Sequence, residues 1–339
     1  MPFTIHVTKD FDQMSHVAAA LVESSIARGQ AEDGSYVLGL ATGSSPTGLY
    51  KHLAKAFNAG RLDARRVRTF NLDEYVGLPG ENAQQRAIHP ESYSFFMVSE
   101  LFGLVSPKFV ETNVPWGTLI EQDALQAAMD AGEGYEFAGT DKGRAVVISP
   151  EAQGYLGWVR DEILDAYAAK IEAAGGIDLH VVGVGGRGHV AFHESGIPFD
   201  AYPVLLVQLD DNTVANAVAD GHFAAAQDAP HFAISMGAEL VFRARQVLMV
   251  ANGPRKTVPV TEAVLGDVTP DVPLSYGQTY AANGGELMFV LDEAAAGELL
   301  ARAEEVAARG VTIVDHRGES YEPVTSVAFT RSPDTGTLI

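Results

Sequence analysis

Residues 36–51, YVLGLATGSSPTGLYK, carry the signal that decides the fold. Tyr36, Val37, Leu38 and Leu40 make a short apolar run without polar alternation, the pattern of a strand buried on both faces of a parallel sheet. A turn of Thr, Gly and Ser follows and opens a helix at Pro46 or Thr47. Strand, tight turn and helix are the first half of a βαβ unit.

The same rhythm recurs in both directions. Apolar, β-branched runs at 67–72, 179–184, 204–209, 246–251 and 286–291 read as further strands, and 11–28, 47–59, 91–104, 156–174 and 257–265 read as helices. Alternating strands and helices predict an α/β fold: a single doubly wound, Rossmann-like domain over residues 1–339, with a mainly parallel sheet and helices on both faces. Two stretches break the rhythm, 80–87 and 117–150, the second containing DAGEGYEFAGTDKG. Neither has the apolar residues for a second core, so both read as surface insertions. The terminal RSPDTGTLI reads as a frayed tail.

At 339 residues, 47% hydrophobic and 20% charged, the chain can bury a full core. Its 23 Lys and Arg against 44 Asp and Glu leave a net charge of -21, a field that repels nucleic acid and anionic membranes. No nucleic-acid partner is expected. A protein so acidic must gather its few cations and backbone N–H donors in one place to hold an anion. The sequence contains no cysteine, which excludes disulfides, thiolate nucleophiles and cysteine-based metal sites and fits a reducing cytoplasm. The N-terminal MPFTIHVTKDFDQM lacks a basic region followed by a long apolar run, and no stretch approaches the ~18 uninterrupted apolar residues of a membrane span. A cytoplasmic protein with no membrane partner is expected.

Four segments carry candidate chemistry. In the turn of the opening stretch, Thr42, Gly43, Ser44 and Ser45 offer hydroxyls and backbone N–H groups at a helix start, a cradle suited to phosphate. An ordinary N-capped turn reads the same way, and the Gly-Lys-Ser/Thr ending of a Walker loop is missing. In FNLDEYVGLP, residues 70–79, a strand runs into Asp73 and Glu74, carboxylates at the sheet edge where such folds bind ligands. They can act as acid, base or metal ligand, or Asp73 can cap the next turn. No metal-ligand spacing lies nearby, so acid–base work is favoured and no metal is expected.

In LHVVGVGGRGHVAFHESG, residues 179–196, Gly183, Gly185 and Gly188 spell the G-x-G-x-x-G form of a dinucleotide fingerprint. Gly196 and Pro198 follow too soon for the long helix that would carry a pyrophosphate. The loop instead sets His189, His193 and Glu194 at the sheet edge, and a histidine beside a carboxylate is a proton-transfer unit near neutral pH. In ANGPRKTVPVTEAVLG, residues 251–266, a turn delivers Arg255 and Lys256 to a helix start, as an anion contact or a solvated basic pair.

Taken together, LGLATGSSPTGLYKHL, FNLDEYVGLP, HPESYSFF, GVGGRGHVAFHE, DNTVANA and ANGPRK resemble the glucosamine-6-phosphate deaminase family over residues 37–260, and GELMFVLDEAA extends the likeness to 296. FNLDEYVGLP followed by HPESY sets the chain apart from the related 6-phosphogluconolactonases. The resemblance implies an enzyme that acts on a sugar phosphate without a cofactor. It makes Asp73 the base that moves a proton between C1 and C2 of the open-chain sugar, and His189 with Glu194 the pair that promotes ring opening. The loop Thr42, Gly43, Ser44, Ser45 and Lys256 would hold the 6-phosphate. In the family's reaction an aldose amine becomes a ketose imine, which loses ammonia to water.

Two positions depart from the family's pattern: Arg187 stands where it has Asp two residues before the histidine, and Val218 stands where it usually has Arg. With Arg187 among the substrate-binding residues, the expectation moves toward a sugar phosphate that lacks a 2-ammonium group or carries a further anion. Competing readings are a sugar lactone hydrolase of the 6-phosphogluconolactonase type, with His189 activating water, and a sugar-phosphate-binding regulator without catalysis. Assembly into a homo-oligomer is left open.

Overall fold

The computed structural model describes residues 3–200, 202–219, 221–329 and 338. In chain order its strands are β1 (Phe3–Thr8), β2 (Tyr36–Leu40), β3 (Val67–Asn71), β4 (Asp73–Val76), β5 (Glu111–Asn113), β6 (Tyr135–Thr140), β7 (Gly143–Ile148), β8 (Leu179–Val182), β9 (Val204–Gln208), β10 (Phe232–Met236), β11 (Gln246–Ala251), β12 (Glu286–Asp292) and β13 (Thr312–Asp315). An 8-stranded sheet runs in the order β13-β1-β12-β11-β8-β2-β3-β5, and every described pairing in it is parallel.

This sheet is buried on both faces, which is why its strands read as continuous apolar runs. Along β11, Val247, Met249 and Ala251 enter one core and Leu248 and Val250 the other. Helices α1 (Phe11–Glu32) and α2 (Thr47–Asn58) cover one face, with Leu49 and Leu53 in the same core as Leu38 and Leu40 of β2. Asp10 starts α1 by accepting from the Gln13 N–H at 3.0 Å, and the helix runs past the expected end at 28 to Glu32. The helices Thr257–Leu265 and Glu293–Ala301, with the helical stretch 154–173, cover the other face. The chain moves outward from β2 through β3 to β5, and outward the other way from β8 through β11 to β12. This is the doubly wound arrangement the sequence predicts, and its switch point between β2 and β8 opens a crevice at the carboxyl ends of the strands.

A second, 5-stranded sheet was not expected; it is antiparallel, in the order β4-β10-β9-β7-β6. Strand β4 continues directly from β3, so the run 67–72 does not end as one strand. At Leu72 the chain leaves the parallel sheet: its N–H donates to Leu40 O at 3.0 Å and its carbonyl accepts from Met236 N at 2.7 Å. The stretch 117–150 is more than a surface insertion. Ile120, Leu125, Met129, Val146 and Ile148 are buried in the main core, and β6 and β7 form a hairpin. Four of them escape a composition argument because Leu125 and Met129 lie on one face of the helix Gln122–Asp130, and Val146 and Ile148 on one face of β7.

Within 80–87, the short helix Ala83–Ala87 is held by buried Arg86, which donates to Glu121 at 2.7 and 3.0 Å and to Thr118 O at 2.7 Å. The strand expected over 179–184 ends at Val182, and the helix expected from 91 starts at Tyr93 after its cap Ser92. Of RSPDTGTLI only Leu338 is described; it is buried in the core shared by α1 and α2, and the rest lies outside the described residues. Among the described residues no helix is long and apolar enough to cross a membrane.

The centre of the parallel sheet leaves no room at Gly39 of β2. Its cross-strand neighbour is His180 of β8, and a Cβ added at Gly39 would stand 2.1 Å from His180 Cδ2 and 2.6 Å from Cγ and Nε2. His180 is buried in the sheet, which pushes its imidazole down to about 4 and keeps it neutral. Gly39→Ala is expected to destabilise the fold by ~1–3 kcal/mol, the cost of overpacking a closed core. Urea unfolding of the variant beside the wild type checks this, and an unchanged midpoint would contradict it.

Candidate active site

Four adjacent strands, β11, β8, β2 and β3, deliver the predicted site loops to one edge of the parallel sheet. Contacts between the loops tie them together. Thr42 Oγ1 lies 3.4 Å from Asp73 Oδ1, joining the loop after β2 to the start of β4. Ser45 Oγ donates to Asn252 Oδ1 at 2.8 Å, joining the same loop to the end of β11. Lys256 Nζ donates to the carbonyl of Val184, joining the loop after β11 to the glycine loop after β8. The glycine loop reaches β4 through β10: Phe192 N donates to Ser235 Oγ at 3.0 Å, and Ser235 is the cross-strand partner of Asp73.

Successive side chains of a strand point to opposite faces, so the adjacent carboxylates of β4 have different surroundings. Glu74 points to the start of the helical stretch 93–102 and accepts from Tyr75 N at 2.9 Å, Tyr93 N and Ser94 N at 3.0 Å, Ser92 Oγ at 2.8 Å and Ser94 Oγ at 3.0 Å. Burial pushes its carboxyl up, and these donors act in the opposite direction. Asp73 is also buried, but among the described residues its hydrogen-bond partner is the Thr42 hydroxyl alone. Burial, and then the neighbouring Glu74, push its carboxyl up to about 8. Glu74 is thus a structural anchor, and Asp73 is a poised carboxyl at the sheet edge.

The three candidates of the glycine loop also separate. His193 is buried, its Nδ1 accepting from Ala238 N at 2.9 Å and its Nε2 lying 3.0 Å from Ile197 O. That geometry fixes one neutral tautomer with the Nε2 proton donated to the carbonyl, and burial pushes the imidazole down to about 4. His193 therefore holds the loop together. His189 keeps a carboxylate partner, with Glu194 Oε2 3.3 Å from its Nδ1, and the carboxylate is the more buried of the two. The His189 ring lies over Gly185, where an added Cβ would stand 1.7 Å from Nε2. Glycine at that point is a packing requirement of the imidazole. No helix follows the fingerprint glycines before Asp211 among the described residues, so the loop lacks the helix a dinucleotide would need.

Arg187 points neither to solvent alone nor to Glu194. Its Nη1 donates to Asp210 Oδ2 at 2.8 Å, at the start of the helix Asp211–Ala219. Val218, on that helix, packs against a small apolar cluster around Tyr75 and Phe192. Sequence reasoning gave no role to Tyr93, whose phenol lies between the Thr42 hydroxyl and the Tyr75 phenol and is pushed well up, first by burial. Nor did it single out Asp292, whose two carboxylate oxygens accept from Gly253 N at 2.9 and 3.0 Å and fix the turn carrying Lys256. Tyr93 stands in HPESY, so the motif was visible, but its partners lie far away in the chain.

No family profile matches the chain. Relatives with established names do. The glucosamine-6-phosphate deaminase of Clostridioides difficile (strain 630) is 33% identical over 294 residues, covering 86% of this chain and 95% of the relative. That of Rhodopirellula baltica is 33% identical over 299 residues, covering 88% and 97%. Among solved structures, a monomeric glucosamine-6-phosphate deaminase superposes with a TM-score of 0.64 at 21% identity, over 87% of this chain and 99% of that one. The 6-phosphogluconolactonase of Trypanosoma cruzi superposes with a TM-score of 0.57 at 19% identity, over 88% and 98%. The structural likenesses establish the shared fold, and the sequence likenesses establish more: this chain belongs to the glucosamine-6-phosphate deaminase family.

Proposed function

We propose that the protein is a glucosamine-6-phosphate deaminase, converting the amino-sugar phosphate and water into a ketose phosphate and ammonia in the cytoplasm, with both sheets working as one domain. The observation that carries this reading is Asp73: a buried carboxyl at the carboxyl edge of the parallel sheet, with one hydroxyl partner and its pKa pushed up to about 8. A carboxylate short of hydrogen bonds and close to its pKa is a strong enough base to take a proton from carbon and return it.

In this mechanism the phosphate sits in the loop Thr42, Gly43, Ser44 and Ser45, at the start of α2 where no side chain caps the helix, with Lys256 closing the site from the end of β11. His189, oriented by Glu194, moves the proton between the ring oxygen and the anomeric hydroxyl as the pyranose opens. Asp73 then takes the C2 proton and delivers it to C1, turning the aldose amine into a ketose imine. Water adds to the imine carbon and ammonia leaves. Arg187 is compatible with this substrate, because its pairing with Asp210 at 2.8 Å leaves a neutral pair rather than a bare cation to face a 2-ammonium group.

Asp73→Asn is expected to cut turnover by about 10²-fold or more while leaving binding of a phosphorylated competitive inhibitor in place; undiminished turnover would assign the chemistry to another group. The raised carboxyl has a second consequence. Its pKa stands at about 8 in the fold against 3.8 for the free group, so the folded chain holds this proton more tightly than the unfolded chain. Asp73 therefore costs no stability below pH ~4 and takes away stability as pH rises toward about 8. In thermal melts, the midpoint of Asp73→Asn should exceed that of the wild type at about pH 8.5 and match it at about pH 4; parallel curves would contradict the buried carboxyl.

Lys256→Ala is expected to raise KM for the phosphorylated substrate by far more than for a phosphate-free analogue, and equal effects would remove phosphate from its role. Wild-type enzyme should release ammonia and ketose phosphate in equal amounts. Ketose without ammonia would return Arg187 to the part of a charge that rejects the 2-ammonium group.

A further inference from the structure

The hairpin of β6 and β7 lies outside every motif that carries the family likeness, yet its tip is built against the loop that holds His189 and Glu194. Gly143, the first residue of β7, has φ of 155°, and a Cβ added there would stand 2.1 Å from Glu194 Cβ and 3.1 Å from its Cγ. Thr140, the last residue of β6, presses on the same loop two residues further along: a Cβ on Gly196 would meet its Oγ1 at 2.3 Å and its Cγ2 at 3.0 Å. Both approaches are closer than any side chain larger than glycine's hydrogen allows.

The tip is itself braced. Lys142 N donates to Thr140 Oγ1 at 3.2 Å, and Lys142 Nζ lies 3.5 Å from Asp271 Oδ1. Asp271 in turn offers its carbonyl to Ser195 Oγ at 2.7 Å, so the tip, the glycine loop and the segment 267–275 interlock around Glu194. Behind the tip, β7 pairs with β9 from Arg144 to Val146, which ties the hairpin to the second sheet.

Glu194 needs such a wall. Its Oε2 has the 3.3 Å contact with His189 Nδ1, while its Oε1 is buried with no hydrogen-bond partner among the described residues. A carboxylate with one long contact is not oriented by hydrogen bonds; its rotamer is set by what it packs against. The backbone at Gly143 is that surface.

We propose that the hairpin is a positioning element for the ring-opening pair: Thr140 and Gly143 seat Glu194, and Glu194 through that seat holds His189. The proposal rests on the role given above to His189 and Glu194. It makes Thr140 and Gly143 residues that act through another group and never touch the substrate. It also explains why an excursion of the chain between two motifs ends on a glycine against a carboxylate rather than on a solvated turn.

The test compares Gly143→Ala, Glu194→Gln and the double variant for kcat, KM and the pH profile of kcat with glucosamine 6-phosphate. Gly143→Ala should lower kcat on the order of 10- to 100-fold, the loss that follows from misplacing a catalytic group by about 1 Å. KM should stay nearly unchanged, the pH profile should change in the same sense as in Glu194→Gln, and the double variant should lose little beyond Glu194→Gln. Additive losses, or a lower kcat with the wild-type pH profile, would overturn the hairpin's role while leaving the pair's role standing. Full turnover with an unchanged profile in Glu194→Gln alone would overturn the reading of the pair, and the proposal with it. Should Gly143→Ala fail to fold, Thr140→Gly removes the neighbouring contact on Gly196 and so loosens the loop that carries Glu194 without adding an atom; it is read the same way, with Thr140→Ser, which keeps Oγ1, expected to return the wild-type profile.

Discussion

The architecture of the site depends on one backbone crossing. At Leu72 the chain donates to Leu40 of the parallel sheet and accepts from Met236 of the antiparallel one, so a single residue belongs to the hydrogen-bond ladders of both. The next residue, Asp73, therefore emerges where the two sheets part, buried by both and reached by the loop after β2. A loop could bring a carboxylate to the same place, but it would leave the backbone open to water and the carboxyl solvated. Carried on a strand between two sheets, the carboxyl is dry and its direction is set by the pleat. The raised pKa follows from that placement.

Two adjacent acids in one buried strand would repel each other if both were left alone. The structure resolves this by unequal satisfaction. Glu74 receives four donors from residues 92–94 and a fifth from Tyr75 N, while Asp73 has a single hydroxyl at 3.4 Å. The charge of Glu74 is spent on capping a helix, where backbone N–H groups favour a negative group. The same charge adds to the burial that raises Asp73. The two carboxyls are thus coupled, and Glu74, by accepting from Tyr93 N, also fixes the residue whose phenol lies against Thr42.

Much of this was legible in the residues. Strands β2, β8, β9, β11 and β12 are buried on both faces and announce themselves as apolar runs, and the glycine loop's lack of a following helix could be read from Gly196 and Pro198. Apart from β9, the second sheet was hidden for physical reasons. Strand β4 reads Asp-Glu-Tyr-Val, and its acids are buried because distant serines and backbone amides satisfy one of them. Strand β6 is largely exposed, with little apolar periodicity to find. In the parallel sheet, β1 was hidden too, because half-buried Thr4 and His6 interrupt its apolar run. Within the site, the residue pattern alone placed His189 and His193 together, and the family resemblance singled out His189. The physical reason lies in tertiary contacts: Ala238 and Ile197 hold His193 in the scaffold and leave His189 with its carboxylate.

The Arg187 substitution shows how a large change in formal charge can be small in effect. Replacing a carboxylate with a guanidinium shifts the loop by two charges, and two unit charges ~4 Å apart at an effective dielectric of ~20 interact by about 4 kcal/mol. Such a term would dominate recognition of an ammonium group if the cation stood alone. It stands instead 2.8 Å from Asp210, whose side chain is 8% exposed against 41% for Arg187. Because the arginine is so open to water, the pair itself adds only about 1 kcal/mol or less to stability. Its consequence is electrostatic rather than energetic: seen from the substrate, the two charges form a dipole whose field falls off faster than that of either ion. Asp210, just past the end of β9, nearly cancels the charge that Arg187 brings to the glycine loop. A substitution read alone argues against an amino sugar; read with its partner, it is compatible with one.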